Sequence, residues 1–330
     1  MITLSVLKRN VRLVLHSQIE LSTILLAHFA GKFREINKMK STKLVAIICI
    51  SVITLCNSCS TPSPEAGSKP TTALLGAFNK EIIMLEEQLT NKHQQRIEGM
   101  RFVTGSLHGK SVVVAWTGIG KVNAAMTTTL LIEHFSPAQV IFSGIAGGVN
   151  PKLDPGDIVI AAETAHHDMG ILGEDGFYNR GVINPLDGIR NPVYLLADEH
   201  LLKLAEKAAE QVELEKIKTT VGERSPRIIK GVVVTGDVFV ASQEKGAELR
   251  EKLNADAVEM EGAAVAQICY QRQIPHLVVR SISDKADTTA RIDSMMFQEM
   301  AAKNSAALIS KITELLSSQL PVSKSSDQVR

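Results

Sequence analysis

The sequence predicts a single α/β domain in which helices cover both faces of a central sheet. After Pro70, short β-rich runs alternate with longer segments of helical spacing. Several of the short runs are almost continuously apolar, as in Val112-Val113-Val114-Ala115 and Leu277-Val278-Val279. Strands of that composition are buried on both faces, which requires a layer of helices on each side. No sequence period of about 20 to 50 residues recurs, which excludes a solenoid.

The elements follow in order. Strands are expected at residues 73–77, 101–106, 111–116, 139–142, 157–161, 231–235, 257–260 and 276–282, each a short apolar or β-branched run. Apolar residues spaced three and four apart predict helices at 81–89, 122–135, 199–212, 243–253, 262–272 and 297–316. Residues 169–198 show no clear period, are rich in Gly, Asn and Pro, and carry Phe177, Tyr178 and Tyr194. A segment of that length is either a functional lid or interface element or a surface insertion.

Composition narrows the classes. With 36 basic and 35 acidic residues the net charge is +1, and no basic stripe marks a nucleic-acid binder. Hydrophobic residues at 45% suffice for an ordinary core. Cys49, Cys56 and Cys59 precede the domain and only Cys269 lies within it, which rules out an intradomain disulfide framework or a cysteine-rich metal site. Cys269 falls in a helical pattern and reads as a buried structural thiol.

The N-terminus reads as an address. Lys40 and Lys43 precede an uncharged run over residues 44–56, too short for a membrane span of about 20 residues and suited to a secretory signal. Leu55-Cys56-Asn57-Ser58-Cys59 resembles the lipobox of bacterial lipoproteins, with Cys59 as the lipidated residue, although the leucine stands one place further from the cysteine than usual. The expected organisation is an upstream extension at 1–38, a lipoprotein-type signal at 39–59, a flexible linker at 60–72, the main domain at 73–318 and a disordered polar tail at 319–330. Met39 is the preferred start, with a real N-terminal helix or extended signal as the alternative. The expected location is the exported cell envelope, with the cytoplasm as the alternative.

Polar residues gather at the ends of apolar strands, where open α/β sheets bind ligands. The segments are Gly76-Ala77-Phe78-Asn79-Lys80-Glu81, Ser143-Gly144-Ile145-Ala146-Gly147-Gly148, Val258-Glu259-Met260-Glu261-Gly262 and Arg280-Ser281-Ile282-Ser283-Asp284. Thr117-Gly118-Ile119-Gly120-Lys121 hints at a phosphate loop but lacks the Walker and dinucleotide spacings. Glu259 and Glu261 lie two apart, so on a strand they share a face, where two carboxylates need partners. A ribose diol is one such partner; the alternative is that one glutamate caps the following helix and the other pairs with Arg280. Asp284, beside Ser283, has the setting of a carboxyl with a raised pKa, though a helix N-cap is the commoner role. His166 and His167 are adjacent, so on a strand they face opposite sides and share an ion poorly.

Six ordered strings together resemble the methylthioadenosine/S-adenosylhomocysteine nucleosidases of the nucleoside phosphorylase superfamily. They are Leu75-Gly76-Ala77 with Glu81; Thr117-Gly118-Ile119-Gly120-Lys121-Val122-Asn123-Ala124-Ala125; Pro155-Gly156-Asp157-Ile158-Val159; Thr235-Gly236-Asp237-Val238-Phe239; Val258-Glu259-Met260-Glu261-Gly262-Ala263-Ala264; and Val279-Arg280-Ser281-Ile282-Ser283-Asp284. The likeness runs over residues 73–316 and is weakest across 169–227. It implies a nucleoside phosphorylase-like, three-layer α/β/α domain with a central mixed β-sheet. The activity implied is hydrolysis of the N-glycosidic bond of 5′-methylthioadenosine or S-adenosylhomocysteine, with release of adenine.

By the same resemblance Asp284 is the general acid at adenine N7, Glu81 orients or deprotonates water, and Arg280 helps hold that water. Glu261 binds the ribose hydroxyls, Met260 the sugar, Phe239 the adenine face and Val240 the purine edge, while Ser283, Ile145, Ala146 and Gly147 complete the substrate site. No metal or organic cofactor is implied, and a homodimer is expected through residues 122–135 and the loop around Phe78. Three departures stand out. Ile145 replaces a small polar residue, Phe78 replaces a methionine, and Asp293-Ser294-Met295-Met296-Phe297 lacks an aromatic three residues before Phe297. The preferred 5′-substituent therefore stays open, as do a nucleoside phosphorylase, a hydrolase of another adenine nucleoside, and a non-enzymatic envelope binding protein.

Overall fold

Side-chain alternation along the first strand sets the layers. In the computed structural model, which describes residues 71–219 and 222–317, strand β1 spans Thr72–Gly76. Leu74 enters one core with Ile82, Leu85, Leu201 and Ile309, whereas Ala73 and Leu75 enter another with Leu131, Phe142, Val265 and Cys269. Helices α1 (Asn79–Glu87), α3 (Glu199–Ala209) and α6 (Ala290–Ser317) supply the first core. Helices α2 (Lys121–Phe135) and α5 (Gly262–Gln271) supply the second, and α4 (Gln243–Leu253) packs in a smaller cluster with Val232 and Val258. The expected extension, signal, Cys59 lipid site and terminal tail lie outside the described residues, as does all of the expected linker before Thr71.

The sheet is mixed. Its remaining strands are β2 (Thr90–Ile97), β3 (Met100–Leu107), β4 (Lys110–Trp116), β5 (Gln139–Gly148), β6 (Ile158–His166), β9 (Tyr194–Leu196), β12 (Ile228–Thr235), β13 (Ala257–Glu259) and β14 (His276–Asp284). The order is β13-β12-β6-β14-β5-β1-β4-β3-β2, with β9 alongside β6. Parallel pairs such as β1 with β4 and β5 lie beside antiparallel ones such as β14 with β6. The outer end of β5 also pairs with β13, Gly148 to Ala257 and Gly147 to Val258. Strands β5, β14, β6, β12 and β13 are thereby closed into a small barrel, with the rest of the sheet extending from it.

All eight expected strands and six expected helices are present, and the differences have physical reasons. Strand β2 escaped notice because Thr-Asn-Lys-His-Gln-Gln-Arg-Ile carries almost no apolar alternation; it is a largely exposed edge strand. Helix α6 begins at Ala290 rather than 297 because its first turns leave Ile292, Met295 and Met296 exposed, outside any core pattern. Residues 169–198 form a hairpin of β7 (Gly170–Gly173) and β8 (Gly176–Asn179), a loop bridged between Ile183 and Arg190, and then β9. A second small hairpin joins β10 (Ile217–Thr219) to β11 (Gly222–Arg224). Buried Asp157 ties this region to the sheet by accepting from the Arg224 and Arg227 side chains and the Arg227 N–H.

Candidate active site

The expected site begins where β1, β5, β12, β13 and β14 end. A cleft of about 100 Å³ opens there, lined by Ile145, Ala146, Gly147, Phe239, Met260, Glu261, Ser283 and Asp284, together with Phe78, Ile119, Val258, Glu259 and Ser294. Val240 adjoins it in a neighbouring recess shared with Gly147, Phe239 and Asp284. Glu81 and Arg280 lie outside that lining and are both fully buried. None of residues 169–198 lines the cleft. A larger groove of about 780 Å³ lies between the end of α3 and the start of β12. Glu206, Glu210, Glu213 and Lys230 line it, and none of the strand-end motifs reaches it.

Arg280 organises the barrel interior. It stands on β14 in register with Gly144 of β5, and a Cβ at Gly144 would overlap its guanidinium. The guanidinium pairs with the Glu259 carboxylate, lies 3.5 Å from Glu261 Oε2, and sits 4.3 Å from the centroid of the Phe142 ring. Glu259 also accepts from the Thr235 hydroxyl and from the N–H groups of Glu261 and Gly262. The capping and Arg280-pairing roles that the second alternative divided between two glutamates both fall to Glu259. Glu261 is not a second strand residue but stands at the start of α5, turned to accept the Gly120 N–H at 2.8 Å.

Burial leaves three carboxyls easier to protonate than usual. Glu81, in the first turn of α1, is pushed to about 7 by burial, against the opposing pull of Arg280 and the nearby Phe78 N–H. Both Glu81 oxygens are buried and make no hydrogen bond. Glu261 is also raised to about 7, by burial and then by the like charge of Glu259. Burial raises Asp284 as well, against the Ala286 N–H and the Ser283 hydroxyl that donate to it at 2.9 and 2.8 Å. Asp284 ends β14 and Glu81 lies in the first turn of α1, and glycosidic cleavage calls for one protonated and one ionised carboxyl.

The histidines do other work. His166 meets Gln267 at 3.1 Å, and His167 packs its ring where a side chain on Gly236 would be. Among the described residues no group of three or more His, Cys, Asp or Glu is placed to hold a metal ion. Cys269 is a buried free thiol in α5, and burial pushes its pKa up.

Comparison with known proteins places this geometry. The model of the phosphorylase superfamily matches residues 71–314. A 5′-methylthioadenosine/S-adenosylhomocysteine nucleosidase from Bacillus thuringiensis is 36% identical over 245 residues, which are 74% of this chain and 98% of that protein. This chain belongs to the 5′-methylthioadenosine/S-adenosylhomocysteine nucleosidase family. The Neisseria meningitidis nucleosidase, solved with methylthio-immucillin-A, is 36% identical with a TM-score of 0.65 and covers 74% of this chain and 99% of its own. The futalosine hydrolase of Helicobacter pylori is 30% identical with a TM-score of 0.62, covering 74% and 98% respectively.

Ile119, Val258 and Ser294 are cleft residues to which sequence reasoning gave no role. Ile119 and Val258 lay inside quoted strings whose neighbours were a usable signal. Ser294 is the position where the family's aromatic is missing, and that departure was the signal there.

Glu81 yields a measurable signature. Below its unfolded value of 4.5 the carboxyl is neutral in both states and its burial carries no charge penalty; stability falls as pH rises toward 7, and the loss is complete above. Glu81→Gln should therefore gain up to about 3 kcal/mol over wild type between pH 4.5 and pH 8 in urea unfolding. An increment independent of pH would show that Glu81 is not buried as an uncompensated carboxyl.

Proposed function

We propose that the protein hydrolyses the N-glycosidic bond of 5′-methylthioadenosine and S-adenosylhomocysteine, releasing adenine and the 5-thio-substituted ribose. The observation that carries this reading is the fully buried Glu81 carboxyl, unpartnered beside Arg280, with Asp284 in the cleft on the neighbouring strand system. A buried carboxyl without partners is costly and is retained where chemistry needs one. Asp284, held toward its protonated form, donates to the leaving purine. Glu81 in its ionised form orients or deprotonates the water, and Glu261 accepts from the ribose hydroxyls. Met260 meets the sugar, Phe239 covers the purine, and apolar Phe78 and Ile119 suit an alkylthio group.

Water rather than phosphate is the nucleophile in this reading. The cleft lining carries the carboxyls of Glu259, Glu261 and Asp284 and no Lys or Arg. Arg280 is already paired with Glu259, and the Gly120 and Lys121 N–H groups of the glycine string donate to Glu261 and Asp237. A phosphate monoanion or dianion entering such a site meets negative charge without a free cationic partner.

Two wider features complete the proposal. The protein acts as a homodimer through α2 and the Phe78 loop, where Trp116, Ile119, Val122 and Met126 form an exposed apolar set. It is exported and lipid-anchored at Cys59, supported by the basic start, the apolar run over 44–56 and the lipobox-like string. There it returns adenine and thio-sugar to methionine salvage.

Purified protein should release adenine from methylthioadenosine equally with and without phosphate, and Asp284→Asn should lose at least about 100-fold in kcat. Phosphate dependence would overturn the hydrolase reading, and release only from an aminofutalosine-type nucleoside would reassign the substrate. Light scattering should give twice the chain mass, falling to one chain for Val122→Glu with Met126→Glu; a monomeric wild type would remove the dimer. Cell fractionation should find the protein in detergent-soluble membranes, released by Cys59→Ser, and recovery only from cytosol would refute export.

A further inference from the structure

Three chain segments that meet above the cleft are locked by a closed ring of polar contacts. At the start of α2, the successive N–H groups of Gly120 and Lys121 donate to Glu261 Oε1 and Asp237 Oδ1, each at 2.8 Å. The Asp237 N–H in turn donates to Asp168 Oδ2 at 2.9 Å. Asp168 Oδ1 accepts Lys121 Nζ at 2.6 Å, and the same Nζ lies 4.0 Å from Asp237 Oδ2. The ring therefore joins the turn after β4, the end of β6 and the loop after β12, segments far apart in sequence.

The ring touches both ends of the cleft. Asp237 lies two residues before Phe239, and Gly120 holds Glu261. The turn depends on Gly120, whose φ of +96° suits only glycine and where a Cβ would stand 3.2 Å from Asp237 Oδ1. His167 closes the other side of the loop against Gly236.

We propose that Lys121 is a positioning residue, which through Asp168 and Asp237 holds the Phe239 loop over the purine end of the cleft while its neighbour Gly120 holds Glu261 at the ribose end. The proposal rests on the nucleosidase reading for what the loop covers. Its physics is local: Asp168 and Asp237 are adjacent acids, and the Lys121 ammonium between them converts their repulsion into attachment. Lys121 retains 18% side-chain exposure and Asp168 26%, so water screens the pair incompletely. Burial alone would raise the Asp168 pKa, yet the Lys121 hydrogen bond and the Asp237 N–H hold it below the ordinary carboxylate value. Two successive N–H groups in one turn thus register purine and sugar contacts against each other.

The test uses the full protein with methylthioadenosine as probe. Lys121→Met should raise KM by about tenfold while kcat changes less than about threefold, because loop placement is lost and the reacting groups remain. Amides of residues 236–240 should exchange faster with solvent in the ligand-free variant. Lys121→Arg should recover both effects in part, and adding Asp168→Asn to Lys121→Met should do little further harm. Unchanged KM and exchange in Lys121→Met would overturn the proposal, as would a fall in kcat and thermal stability with KM unmoved. If wild type releases no adenine, the nucleosidase reading fails, and hydrogen exchange in the ligand-free protein still decides the clamp.

Discussion

The structure depends on one buried cation. Arg280 has no solvent exposure, and an unpaired guanidinium in that position would cost several kcal/mol. Its neighbours are therefore constrained one by one. Glu259 must be present to pair with it, Gly144 must lack a side chain to admit it, and Phe142 must offer a ring face. Glu259 also starts α5, so the same ion pair fixes the direction in which Glu261 leaves the barrel. Removing either partner would leave a buried charge and cost about 3–5 kcal/mol, more than the net worth of the pair.

Three glutamates face this single cation. Glu259 claims the close contact and three further donors satisfy it, whereas Glu81 and Glu261 receive only part of its field. Burial, only partly offset by Arg280, explains why these two hold their protons to about neutral pH, and for Glu261 the like charge of Glu259 adds to it. A site with that balance favours a ligand that gathers positive charge, as the sugar ring does when a glycosidic bond breaks. Ground-state nucleosides gain less from it, which is how differential binding lowers a barrier.

Much of this was legible in the chain. Continuous apolar runs such as Val112 to Ala115 declared the buried strands, and the strings around Glu261 and Asp284 marked where they end. The misses share a cause, since β2, the first turns of α6 and the 169–198 hairpin bury little, and periodicity reports burial. The two glutamates were legible as a pair but not in their division of labour, because the break between Glu259 and Glu261 is a helix start rather than a strand continuation. The Lys121 ring was invisible because its members lie on three separate segments and none belongs to an apolar pattern.

The barrel closes through a strand pair whose members are more than a hundred residues apart in sequence, Gly148 with Ala257 and Gly147 with Val258. Such long-range pairing must wait until the intervening strands and helices have been made, and loop closure of that span slows folding. That pairing and the still more distant one of β14 with β5 meet at Gly147, beside Asp284, so the site is assembled only from residues the chain supplies late in its length.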